Sequence, residues 1–109
     1  METDRLLDPI VKAALKATNE GDRDAWLGLF DVHAVLTDDG SERDYKQWSD
    51  SEIFGAAKGR ITSISKVVDR GSTIHANFHS ARWGDFKTFW KFEIQSGKIV
   101  RLEVGQQEG

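Results

Sequence analysis

Beyond Gly59 the sequence alternates with a period of two, and the alternation breaks at Arg70-Gly71, Gly84-Asp85 and Ser96-Gly97. Successive side chains of a strand point to opposite faces, so residues 60–68, 73–82, 86–95 and 98–106 read as four strands. Turns this short join neighbours antiparallel, which makes the second half of the chain a meander. One face of its last three strands collects Ile74, Ala76, Phe78 and Ser80, then Thr88, Trp90, Phe92 and Ile94, then Val100, Leu102 and Val104. The other face carries His75, Asn77, His79, Lys87, Phe89, Lys91, Arg101 and Glu103, with Trp83 at its margin. The apolar face needs a covering layer, and the first half of the chain must supply it.

That half has the helical period. Asp8-Pro9 is a start signal: the carboxylate accepts from free backbone N–H groups, and proline in the first turn loses no hydrogen bond. Val11, Ala14, Leu15 and Thr18 then form one stripe, with Lys12, Lys16 and Asn19 outside it, up to a stop at Gly21. Asp22 opens a second, short helix in which Ala25, Trp26, Leu29 and Phe30 recur at steps of three and four. From Ala34 the period becomes two, giving a short strand with Ala34, Leu36 and Asp38 on one face, closed by an Asp39-Gly40 turn. A third helix starts at Asp44 or at Ser49, where Ser49-Asp50-Ser51-Glu52 has the form of a capping box and Trp48 precedes it as a staple. Gly55 and Gly59 bracket its exit.

A chain of 109 residues fits one domain, read here as 1–109 with an ordered core over about 8–106. Hydrophobic residues make up 39 % and charged residues 30 %, a globular balance. A net charge of −3 without basic blocks lacks the positive field a phosphate backbone requires, so nucleic acid is not an expected partner. Nowhere do 18 apolar residues run together, and the start of the chain lacks a leader's apolar stretch, so no membrane span is expected and the protein is read as cytoplasmic. With no cysteine there is no disulfide, thiolate nucleophile or sulfur ligand. His75 and His79 share one strand face, but four residues at about 3.3 Å each put their backbones about 13 Å apart, too far to share a zinc ion with bonds of about 2.1 Å. No metal is expected. No glycine-rich phosphate loop or serine elbow is present, and no cofactor is expected either.

The order of these parts resembles the nuclear transport factor 2-like superfamily, which includes SnoaL-like polyketide cyclases and ketosteroid isomerases. The resemblance rests on Asn19-Glu20-Gly21-Asp22, Leu29-Phe30, residues 34–38, and Gly97-Lys98-Ile99-Val100-Arg101-Leu102, and spans about residues 8–106. It implies an α+β fold: a cone-shaped, curved antiparallel sheet packed against a long N-terminal helix and two shorter helices, a cystatin-like α+β roll. It also implies that Asp38 stands where the isomerases hold their general base. The isomerases' two donors to the developing oxyanion correspond here to Ala14, whose side chain donates nothing, and to about Trp90, whose indole offers one N–H. The scaffold hosts isomerases, cyclases, dehydratases, hydrolases and binding proteins alike.

The expected site is therefore a small-molecule pocket with Asp38 as candidate base and with Trp90, Phe92, Leu102, Trp48, Tyr45 and Gln106 as candidate ligand-binding residues. A carboxylate in an apolar cleft suits proton abstraction next to a carbonyl, the chemistry of a cofactor-free isomerase or cyclase acting on an apolar carbonyl compound. The alternatives are a non-catalytic domain binding an apolar ligand and a protein-interaction domain of the same fold. Asp38-Asp39-Gly40 is also what a plain turn looks like, and Trp90 with Phe92 also suits a core. A homodimer is expected through the sheet face bearing His75, Asn77, His79, Lys87, Phe89 and Lys91.

Overall fold

A computed structural model of the protein describes residues 8–55, 58–68 and 71–106. The expected end segments 1–7 and 107–109, and the Arg70 half of one turn, lie outside the described residues. Helix α1 (Pro9–Glu20) forms as its signals dictate. The Asp8 carboxylate accepts from the Ile10 N–H, and Gly21 ends the helix in the left-handed region at φ 70°. Its buried stripe is Val11, Ala14, Leu15, Ala17 and Thr18. Asn19, outside that stripe as expected, pairs its carboxamide with both backbone groups of Ile61, so the helix end is tied to an edge strand. Helix α2 (Arg23–Gly28) follows, capped by Asp22.

Strand β1 (Phe30–Asp38) begins four residues before the expected Ala34, because Phe30 leaves the helix to pair with Ile99. A short strand absent from the sequence reading, β2 (Ser41–Arg43), folds back on β1 around Asp39-Gly40. Its three residues are all exposed and carry no apolar period to reveal them. Helix α3 (Tyr45–Ser49) takes the Asp44 start, with that carboxylate accepting from the N–H groups of Lys46 and Gln47. The capping box at Ser49 does not form: the chain runs on into a π-helical turn (Asp50–Phe54), and the Ser49 hydroxyl donates back to the Tyr45 carbonyl.

Strands β3 (Arg60–Val68), β4 (Thr73–Ser80), β5 (Gly84–Gln95) and β6 (Lys98–Gln106) form the expected antiparallel meander. The sheet order is β2-β1-β6-β5-β4-β3, and the β1–β6 pairing is parallel, so the sheet is mixed rather than purely antiparallel. The helices cover its apolar face over one continuous core. A register shift after Glu93 pairs Ile94 with Ile99, which puts Ile99 in that core in place of the expected Val100. Trp26 is fully buried, and its indole N–H donates to Ser49 Oγ at 2.7 Å, so the largest core side chain carries no unpaired polar atom. No helix among the described residues is long and apolar enough to cross a membrane.

Candidate functional site

The last residue of β1 is Asp38, held between Ser41 of β2 and Val104 of β6. The turn that follows needs two left-handed residues, Asp39 at φ 50° and Gly40 at φ 85°, the pair favoured in two-residue hairpins. Asp39 then fastens this end of β1 to the end of β6: its N–H donates to the Val104 carbonyl, and its Oδ1 accepts from the Gln106 N–H, both at 2.9 Å. Between those two contacts lies Gly105, where a Cβ would stand 2.7 Å from Asp39 Oδ1 and equally close to the Phe89 ring. Asp38 is thus aimed by backbone pairing on both sides rather than by a free loop.

Opposite it, α3 brings in Trp48, a residue one turn from the Asp44 cap, and its indole Nε1 donates to Asp38 Oδ2 at 2.9 Å. The other oxygen, Oδ1, has no hydrogen-bond partner among the described residues. The π-helical turn then places Glu52 in the lining of the same cavity, as such turns often do near sites. Trp90 of β5 closes the floor, 6.0 Å from Trp48 and 5.7 Å from Phe78 between ring centres. Its indole N–H is already committed, donating to Thr88 Oγ1 at 2.8 Å, while that hydroxyl donates to the Ala76 carbonyl. Gly59 backs Phe78 so closely that a Cβ there would meet its ring at 2.4 Å.

These residues enclose a cavity of about 490 Å³, within the range of small-ligand sites. Its deep wall is apolar, with Trp48, Phe78, Trp90 and Val104 all buried. Its rim carries Trp83, 62 % exposed, whose Nε1 donates to Glu52, together with Asp39, Asp85 and Gln106. The acidic side chains of the lining are Asp38, Asp39, Glu52 and Asp85, and among the described residues no lysine, arginine or histidine belongs to it. Outside the cavity, a hydrogen bond from Arg23 holds the exposed Asp50 below the usual carboxylate range.

Of the residues singled out from sequence, Asp38, Trp48, Trp90 and Gln106 line the cavity. Tyr45, Phe92 and Leu102 do not line it. Tyr45 stacks on Phe30, Phe92 packs beside Trp90 within the core, and Leu102 is fully buried, so all three fill the closed end of the cone. Trp83, placed at the margin of the outer sheet face by alternation, instead stands at the mouth, because the chain turns at residues 81–83 and alternation ends there. Glu52, Asp85, Phe86 and Asp39 were not singled out. Phase with Thr88 and Trp90 along one strand could have found Phe86; nothing local points to Glu52, whose placement depends on the π-helical turn.

No protein-family model matches the sequence, and no curated protein matches it. Among solved structures, the fold is similar to a candidate polyketide cyclase from Sinorhizobium meliloti, with 22 % identity over 93 % of this chain and 97 % of that one and a TM-score of 0.76. It is similar to a nuclear transport factor 2-like protein of unknown function from Cytophaga hutchinsonii, at 12 % identity over 90 % and 87 % of the two chains, with a TM-score of 0.69. A third is a hypothetical protein with a ketosteroid isomerase-like fold from Catenulispora acidiphila in complex with trimethylamine, at 17 % identity, 90 % and 85 % coverage and a TM-score of 0.68. The chain shares the fold of these polyketide cyclase-like, nuclear transport factor 2-like and ketosteroid isomerase-like proteins.

Proposed function

We propose, on the premise of a SnoaL-like fold, that this protein takes a small molecule into the 490 Å³ cavity with Asp38 as the group that accepts its proton or hydrogen bond. The observation carrying this reading is the convergence of Asp38 Oδ1, without a partner among the described residues, and the buried faces of Trp48, Phe78 and Trp90 on one void. A ketosteroid isomerase-like neighbour in complex with trimethylamine supports a small-molecule role for the scaffold. In the catalytic form of the reading, Asp38 removes a proton from the carbon next to a carbonyl, and the Gln106 carboxamide at the rim donates to the enolate oxygen.

A second reading, binding without catalysis, is favoured by the state of the indoles. The N–H groups of Trp48, Trp90 and Trp83 all donate to protein oxygens, which leaves few donors for an oxyanion. Acetophenone in deuterium oxide separates the two. Asp38 acting as base gives exchange of the methyl protons in the NMR spectrum that drops about 10²- to 10⁴-fold in Asp38→Asn while the dissociation constant holds. Binding without exchange in either protein leaves the non-catalytic reading, and absence of acetophenone binding removes the carbonyl-directed catalytic form.

The outer sheet face is proposed as a homodimer surface. His75 opposes Phe89 and Asn77 opposes Lys87 across β4 and β5, with His79 and Lys91 beside them, and the half-buried Phe89 lies among polar neighbours. A monomer mass by light scattering at high concentration would refute it.

A further inference from the structure

The cavity's charge is one-sided, and the rest of the sheet is not. On the outer face, carboxylates sit opposite cations: Lys91 is in register with Glu103 and Glu93 with Arg101, and Arg101 reaches Glu103 at 3.7 Å. In the cavity, Asp38, Asp39 and Glu52 have no ion-pair partner among the described residues, and Asp85 has only the ring of His79, at 2.6 Å. These four carboxylates come from three separate places in the chain: Asp38-Asp39 at the end of β1 and its turn, Glu52 in the π-helical turn and Asp85 at the start of β5. Like charges repel one another, and the fold brings these to one void whose lining, among the described residues, holds no lysine, arginine or histidine; Arg82 stands outside that lining, against Trp83.

The apolar part of the lining has a matching bias. Trp48, Phe78, Trp83, Phe86 and Trp90 are all aromatic, and aromatic faces attract cations through their quadrupole as aliphatic walls do not. The mouth already shows this attraction within the protein, since the Arg82 guanidinium lies 5.0 Å from the centre of the Trp83 ring. Aromatic walls below and carboxylates around the opening suit an ion with a greasy surface and a positive charge. A carboxylate, phosphate or sulfate ligand would meet the four carboxylates of the lining, with Arg82 beside Trp83 as the cation at the mouth.

We infer that the ligand of this cavity is an organic ammonium ion, a small amine or quaternary ammonium compound, with its alkyl or aryl body against Trp48 and Trp90 and its charge facing Asp38 and Glu52. The inference rests on the cavity being the binding site and adds the charge of what enters it.

The test compares choline with 3,3-dimethylbutan-1-ol, its neutral isostere, and with acetophenone, by isothermal titration of the full chain and by its tryptophan fluorescence. Choline binding at least about tenfold more tightly than the isostere, and weakening as salt is raised, is the expected result. Glu52→Gln, with its fold checked by circular dichroism, weakens choline roughly two- to fivefold, the reach of one partly exposed charge, and leaves the isostere unchanged. Equal affinity for choline and the isostere overturns the ammonium assignment and leaves the small-molecule reading standing, as does binding of acetophenone alone. No binding of any of the three overturns both.

Discussion

The two ends of the cone are built from the same residue types and differ in whether aromatic rings meet one another or an empty volume. At the closed end Trp26 lies 5.1 Å from Phe30 and 6.3 Å from Phe54, and Phe30 stacks on Tyr45 at 5.0 Å between ring centres. At the open end Trp48, Phe78 and Trp90 keep similar spacings on one side and face about 490 Å³ on the other. Trp90 belongs to both, 6.4 Å from Trp26 and 6.0 Å from Trp48. Ring packing therefore supplies stability at one end, and at the other the same kind of surface remains available to a guest.

The sharpest way to break this division is to truncate one tryptophan from each end. Trp26→Ala is expected to cost about 3–5 kcal/mol in urea unfolding, whereas Trp83→Ala at the mouth should stay within about 0.5 kcal/mol. Equal losses would mean that the mouth is part of the core. Leu102→Ala, which touches the closed end alone, should lose about 2–5 kcal/mol and leave acetophenone affinity where it was. A changed affinity would return Leu102 to the site.

Smaller changes sharpen the boundary. Ser49→Ala strips the buried Trp26 N–H of its acceptor, for an expected loss of about 1–3 kcal/mol without effect on the cavity. Gly59→Ala sets a Cβ against Phe78, so it should cost about 1–3 kcal/mol and also move ligand affinity, because Phe78 is a cavity wall. The least effect is expected from the exposed Arg23–Asp50 pair. Asp50 is held below its ordinary value of 3.8 by the Arg23 hydrogen bond, so its contribution is full above that value and fades as pH falls through the lowered one. Asp50→Asn should remove that slope from the acid limb of the thermal midpoint and nothing else.

Much of the closed end could be read from the sequence, because local rules fix it. Asp8-Pro9 and Gly21 bound α1, and alternation names Ile74, Ala76, Phe92 and Leu102 as core. The misses occur where a distant partner decides. Phe30 is a strand residue only because Ile99 pairs with it, and Ile99 rather than Val100 is inside only because of a shift in β5–β6 register. The open end could be read in its strand residues, Asp38, Phe78, Trp90 and Gln106 among them, and in Trp48 by its place before the helix. Its rim is assembled from a π-helical turn and two chain reversals, and no periodicity runs through those.

The parallel pairing of β1 with β6 has a consequence in time as well as in space. Asp38 cannot take its place until Val104 is beside it, and Asp39 waits for Gln106, 67 positions further along the chain. A ribosome emits the aspartates long before the strand that orients them, so for seconds the nascent chain lacks the partner that would complete the cavity. Ligand capture then becomes a signature of the last stage of folding, and a guest present during refolding selects the finished molecule alone.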